Sequence, residues 1–312
     1  MDLKQIEYIL KIAEEKSITR AAEKLFLTQP ALNQQLLRLE KELGTPLFIR
    51  GRKHLELTPA GEIYIKNATI MLDLKRETYR EISDIAGVFN HSLKIGLTPE
   101  RGLHIFSEVY PAFHERYPHV VLQPFVMNVK EQQTEIASGN LDFGLVTLSD
   151  EDKDQNYYRL LDRSGFVLAA PKQSGSMQVL QDQTGDGGLL SPEALTLLKE
   201  EPFVLIWKGS TLRRSIDNIF EQAGYVPRIL FETESNITIV RMVQAGICHA
   251  ILPAYYAVPA KNVVYSRLDS PFTFDVAACY RKKKKPDQAS EYFLSLVQDF
   301  LNQNPVYQSY DR

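Results

Sequence analysis

The stretch Ser17 to Arg38, SITRAAEKLFLTQPALNQQLLR, reads as two short helices joined by a tight turn. The first, Thr19 to Phe26, carries Ala21 and Ala22 where a partner helix must approach closely, and Ser17 stands ready as its N-cap. The second starts at Thr28, a capping residue, with Pro30 pre-set for the first turn. Leu32, Leu36, Leu39 and Leu43 then define one apolar face that must be buried. The outward face is Gln29, Pro30, Asn33, Gln34, Arg38 and Lys41. Amides can bond an adenine edge with two hydrogen bonds, and Arg or Lys takes guanine or phosphate, so this helix fits the DNA major groove. An ordinary solvated helix face has the same composition, and the flanks decide between the two.

On one flank, Leu3, Ile6, Ile9, Leu10 and Ala13 fall at helical spacing with no continuous apolar core of signal-peptide length, which predicts a packing helix. On the other, Leu47 to Thr58 (LFIRGRKHLELT) alternates apolar and polar residues around Gly51. That pattern predicts a two-stranded wing with Arg50, Arg52 and Lys53 at its tip, suited to phosphate or the minor groove; a solvated hairpin is the plain alternative.

Ser17 to Ala22, Gln29-Pro30-Ala31, Leu39-Glu40, Leu43-Gly44, Leu47-Phe48-x-Arg50 and Leu57-Thr58-x-Ala60-Gly61 together resemble the N-terminal signature of the LysR-type transcriptional regulators of bacteria. The resemblance implies a winged helix-turn-helix (residues 1–58), a coiled-coil linker helix (59–89) and a two-lobed α/β effector domain similar to periplasmic binding proteins (92–304). It further implies that the second lobe is inserted, giving lobe 1 about 92–166 and 268–304 and lobe 2 about 167–267. Homotetramers, an interrupted palindrome on double-stranded DNA, contact with RNA polymerase and a small-molecule effector come with the family. The chain departs from the pattern at Asn33, where the family usually has Ser, and at Gln34, where a basic residue is common, which implies an unusual half-site.

Thr58-Pro59 opens the linker helix, which is expected to run to about Ala86 and end at Gly87. Along it Ile65, Ala68, Leu72, Lys75, Tyr79, Ile82, Ala86 and Phe89 alternate spacings of three and four, which is coiled-coil periodicity. At 1.5 Å per residue the helix is roughly 40 Å long, with no globular core of its own, so a twin helix is its natural partner. Ile65, Ala68, Leu72, Tyr79 and Ile82 are the expected dimerisation residues. Packing on the chain's own effector domain is the other arrangement, and Lys75 in the seam keeps it open.

The chain has 312 residues, 44% of them hydrophobic and 24% charged, an ordinary composition for about two globular domains. Its net charge is -3, but residues 1–60 hold ten basic against eight acidic side chains, so the slight basic bias lies where DNA contact is expected. No run approaches the roughly twenty apolar residues that span a bilayer, so a cytoplasmic protein is expected. Cys248 and Cys279 sit in apolar surroundings, as small buried hydrophobes or, alternatively, a redox sensor.

From Ser92 strands alternate with helices: SLKIGL, VVLQPFVM and DFGLVTL, then FVLIWK from Phe203, RILFETES and CHAILPAY, predicting parallel βαβ lobes with a ligand crevice at the strand ends. Phe274 to Tyr280 and a helix from Asp287 are expected to return to lobe 1. The residues at the strand ends are Thr98, Glu100, Met127, Thr147, Gly209, Ser210, Thr211 and Glu234, with Ser235 beside the last. Ser and Thr there double as helix N-caps. A small polar effector, anionic rather than cationic, suits helix N-termini, whereas Glu100 argues for a zwitterion or a cation. The longer segment from Gln173 to Pro192, with its GDGG, is a flexible loop and no phosphate-binding motif. The basic run Arg281 to Lys285 is a solvated loop or a second DNA contact.

No nucleophile elbow, metal-spaced Cys or His pair or Walker loop is present, so no catalytic residue, metal or cofactor is expected and His114 and His119 read as surface groups. The competing classes are a solute-binding protein, which would not need Ser17 to Thr58, and an enzyme on the same α/β scaffold, which would need a catalytic constellation.

Overall fold

The computed structural model describes residues 2–50, 55–85, 92–175, 189–282, 284 and 286–303. Its contacts divide into two compact units, Met1–Phe89 and Asn90–Arg312.

In the first unit α1 (Leu3–Glu15) begins where Asp2 accepts the Gln5 N–H at 2.7 Å. Helix α2 (Ile18–Lys24) is capped by Ser17, and α3 (Gln29–Leu43) by Thr28, with Pro30 in its first turn. Strands β1 (Phe48–Arg50) and β2 (Leu55–Leu57) pair antiparallel, and α4 (Pro59–Ile85) follows. Ile9, Ile12, Ala21, Ala22, Leu32, Leu36, Leu39, Leu47 and Phe48 form one core. Two expectations fail at helix ends. Helix α2 stops before Phe26, which takes φ 54° in the turn and is 96% exposed. Leu43 is also exposed, because Gly44 turns the chain with φ 72° one residue later.

The linker seam differs more. Ala68 and Leu72 are buried against Ile6 of α1, with Leu10 and Tyr64 around them, while Ile65 packs on the winged-helix core and Lys75 pairs with Glu7 at 3.4 Å. The face expected to meet a twin helix is therefore covered, over its first half, by the chain's own α1. A spacing of three and four marks an apolar stripe without naming its partner, and α1 has an apolar face to match it. Ile63, Ile70 and Leu74 form a second, exposed stripe on α4, and Tyr79 and Ile82 are exposed as well. Gly51, Arg52 and Lys53 at the wing tip, and Ala86, Gly87 and Phe89 at the helix end, lie outside the described residues.

The second unit holds two lobes. Lobe 1 is built on a five-stranded sheet ordered β4-β3-β5-β13-β6, from β3 (Ser92–Leu97), β4 (Val121–Val126), β5 (Phe143–Leu148), β6 (Tyr157–Ser164) and β13 (Phe274–Tyr280). Helices α5 (Arg101–Arg116), α6 (Val129–Ala137) and α9 (Gln288–Gln303) flank it, and Phe293 of α9 packs on Phe113 of α5 at 5.8 Å. Gly96 and Gly144 leave room for the buried Gln132 of α6, whose carboxamide oxygen would lie 2.8 and 2.3 Å from a Cβ at either position.

Lobe 2 contains β7 (Phe166–Pro171), β8 (Leu189–Leu190), β9 (Pro202–Ile206), β10 (Arg228–Thr233), β11 (Ala250–Pro253) and β12 (Val263–Leu268), with α7 (Thr211–Gln222) and α8 (Asn236–Gln244). The chain crosses into it at Gly165 and back between Leu268 and Phe274. The expectation of parallel sheets holds for β4-β3-β5, β9-β10 and the short β8-β12 pair, whereas β13 runs antiparallel to β5 and β6, and β7 antiparallel to β11 and β12. A strand returning from an inserted lobe enters the first sheet from the opposite end, which reverses its direction. The GDGG of the long loop, and Lys283 and Lys285 of the basic run, lie outside the described residues.

Candidate functional site

The recognition helix is placed by bonds that the signature residues make to backbone. Glu40 accepts the N–H groups of Leu47 and Phe48 at 2.7 and 3.3 Å, holding the start of the wing on α3. Thr58 donates its hydroxyl to Pro46 O at 2.8 Å and accepts the Gly61 N–H at 2.9 Å, capping α4. Gly61 carries no side chain because Leu47 O sits 2.1 Å from where its Cβ would be. So fixed, α3 buries Leu32, Leu36 and Leu39 and exposes Gln29, Pro30, Gln34 and Arg38, with Asn33 half-buried. Arg50 falls within β1, and Arg52 and Lys53 are not described. Sequence reading missed Phe26, whose exposure follows from a left-handed turn that its residue type does not announce.

Between the lobes lies a cavity of about 460 Å³. All eight residues singled out at strand ends line it: Thr98, Glu100, Met127, Thr147, Gly209, Ser210, Thr211 and Glu234. Their roles separate. Thr98 accepts the Gly102 N–H at 3.2 Å and Ser210 the Leu212 N–H at 3.3 Å, so both are caps that keep an O–H to donate. Thr211 donates its hydroxyl across the lobes to Thr147 O at 2.7 Å. Gly209 makes room for an indole: a Cβ there would lie 2.2 Å from the Trp207 ring. Thr147 is buried, and among the described residues its hydroxyl has no hydrogen-bond partner.

Glu100 is not an open carboxylate facing the cavity, which corrects the expectation that it could pair with an effector amine. It accepts from Ser235 Oγ at 2.6 Å, Tyr256 Oη at 2.8 Å, Asn236 N–H at 3.1 Å and Ile237 N–H at 3.3 Å. Burial first, and then the Glu100 carboxylate, pushes the Tyr256 phenol well above its ordinary pKa, so it stays a donor. Arg101 is buried over the Tyr255 and Phe274 rings, 5.0 and 5.7 Å away, with Asp162 at 3.7 Å. Sequence reading also missed Trp207 and Tyr256. Trp207 follows directly on β9 and could have been found there, whereas Tyr256 comes from the turn after β11, which carries no strand-end signal.

Among the described residues no group of three or more His, Cys, Asp or Glu is placed to hold a metal, and no helix is long and apolar enough to cross a membrane. Cys248 and Cys279 are free and buried, and burial pushes their thiols to about 11 and about 12, which keeps them protonated.

Two family models match this architecture. Residues 3–62 match the bacterial regulatory helix-turn-helix protein, lysR family, and residues 86–302 match the LysR substrate binding domain. An uncharacterized HTH-type transcriptional regulator of Bacillus subtilis, YcgK, is 27% identical over 97% of this chain and 96% of its own. The regulator AlsR of the same organism is 27% identical, over 98% and 93%. Among solved structures, a full-length OxyR variant from Pseudomonas aeruginosa superposes with a TM-score of 0.69 at 22% identity, covering 96% of this chain and 98% of that one. CbnR in complex with its target DNA gives 0.57 at 21% identity, covering 96% and 99%. With one model covering the two-lobed unit and the other the winged helix, the chain belongs to the LysR family and is a LysR-type DNA-binding transcriptional regulator with an effector-binding domain.

Proposed function

We propose that the chain reads an interrupted palindrome through Gln29, Pro30, Asn33 and Gln34, holds phosphates with Arg38, Arg50, Arg52 and Lys53, and changes its DNA binding when a small polar anion enters the cavity. It acts by binding and not by catalysis, in the cytoplasm, in concert with RNA polymerase. The observation that carries the effector half is the uncommitted hydroxyl of Thr147, a cavity-lining residue beside the N-terminus of α7, where backbone N–H groups and the helix dipole favour negative charge. Gln34 and Arg38 point outward from a helix whose other face is core, which is what major-groove reading requires.

Two-fold symmetry on DNA needs a dimer, and the exposed stripe Ile63, Ile70 and Leu74 of α4 supplies an apolar face for a twin helix, while Tyr79 and Ile82, on the seam face that carries Ala68 and Leu72, stay exposed further along the helix. Edge strands β4 and β10 expose Val121, Phe125 and Val126 and Ile229, Leu230 and Phe231, which supports further pairing of effector domains into a tetramer. A ligand bridging both lobes has different affinity for their open and closed arrangements, and that difference drives the response.

Footprinting the DNA upstream of the protein's own gene, with and without a panel of small carboxylates, tests the whole reading. Arg38→Ala should weaken all duplexes alike and reduce the salt slope by about 1, whereas Asn33→Ala should relax preference at one base pair. Unchanged site preference in Asn33→Ala would remove the base-reading assignment.

A further inference from the structure

Helix α8 presents its N-terminus to the cavity from lobe 2, and in a two-lobed binding domain such an end is a seat for an anion. Here the seat is taken by the chain itself. The Glu100 carboxylate, from lobe 1, accepts four hydrogen bonds from lobe 2: Ser235 Oγ and the Ile237 N–H on one oxygen, Tyr256 Oη and the Asn236 N–H on the other. Ser235 also caps the helix proper, accepting the Thr238 N–H at 3.0 Å. Glu100 reaches this position with φ 61°, a left-handed conformation rare for a residue with a Cβ, so the sequence keeps a side chain where glycine would fit more easily.

We propose that Glu100 is an internal ligand: it fills the α8 anion seat, fastens the two lobes when no effector is present, and restricts the cavity to effectors bearing a single anionic group. A second ligand carboxylate would meet an occupied helix end and a like charge, while the other end of the cavity, with Thr147 and the N-terminus of α7, stays open. The selectivity clause rests on the cavity being the effector site; the fastening does not.

The test uses the full chain and two variants. Glu100→Gly tolerates the left-handed backbone and empties the seat, and Glu100→Gln keeps the shape but removes the charge. Amide hydrogen exchange is followed in the peptide spanning 233–240, with sodium acetate as probe and sodium chloride as control. In the wild type the Asn236 and Ile237 amides should be protected and indifferent to acetate. In Glu100→Gly their protection should fall about tenfold and return as acetate is added, and in Glu100→Gln it should be intermediate and insensitive to acetate. Malonate, a dianion, should raise the melting temperature of Glu100→Gly and leave the wild type unmoved. Equal protection in the wild type and Glu100→Gly, or no recovery with acetate, overturns the internal ligand; a malonate shift equal in both chains overturns the selectivity. None of these readouts involves DNA or a natural effector, so the inference can fail while the cavity assignment stands, and an unresponsive footprint can sink that assignment without touching this one.

Discussion

Glu40 and Glu100 are both carboxylates that accept backbone N–H groups, and the comparison between them separates the two units. Glu40 binds the amides of Leu47 and Phe48, close in sequence and in the same small core. Glu100 binds amides of Asn236 and Ile237, far along the chain and on the other side of a cavity. The first bond cannot break without undoing the wing, whereas the second can break by a movement of one lobe against the other. A polar residue in the DNA-binding unit therefore serves mainly to fix a surface, and a polar residue at the cavity can belong to a state.

The comparison breaks most visibly on α4, where the face buried against α1 and the exposed stripe proposed for the dimer lie on opposite sides of one helix. Leu72→Lys places an ammonium in the cluster of Ile6 and Ala68 and should destabilise the first unit by about 4 kcal/mol, seen as a loss of its unfolding transition. Leu74→Lys, two residues on and exposed, should leave that transition in place and shift the oligomer toward smaller species in light scattering. If Leu74→Lys keeps the wild-type mass at micromolar concentration, the exposed stripe is not the dimer seam.

The next effect in size belongs to the signature itself. Gly61→Ala drives a methyl against Leu47 O and should cost about 3 kcal/mol, with DNA binding lost at every salt concentration while the second unit melts as before. Glu40→Ala leaves two backbone N–H groups without their acceptor and should cost about 2 kcal/mol, and Glu40→Gln should recover most of it. A Glu40→Ala chain as stable as the wild type would mean that water replaces the carboxylate and that the wing is not held this way.

These residues also show what could be read in advance. Capping chemistry is local, so Ser17, Thr28 and Thr58 could be assigned as caps from their neighbours, and the caps are where the sequence placed them. Strand ends are local too, which is why the residues picked from them meet at one cavity. Partnership is not local. The stripe of Ala68 and Leu72 looks the same whether α1 or a twin helix covers it, and the choice depends on how the chain returns on itself. The reversed strand β13 and the committed carboxylate of Glu100 are likewise set by elements more than a hundred residues away. Phe26 was missed for a different reason: its helix ends early with no glycine or proline to say so.

The smallest change is expected to be the most informative about the cavity. Thr147 and Thr211 are joined by a hydrogen bond in which Thr211 supplies the hydroxyl and Thr147 only its backbone oxygen, so the Thr147 side chain holds nothing in place. Replacing it by valine keeps the volume, removes a hydroxyl with no partner among the described residues, and should change stability by less than about 0.5 kcal/mol. Thr211→Val removes the donor and leaves a carbonyl at the lobe junction without it, at a cost of about 1 kcal/mol. If the open end of the cavity receives the effector's anionic group, the Thr147→Val chain should bind DNA as the wild type does and lose its response to whichever carboxylate alters the wild-type footprint. Thr211→Val should keep a weakened response. A Thr147→Val chain that still responds fully would move the anion seat away from β5, and the N-terminus of α7 would then have to be tested alone.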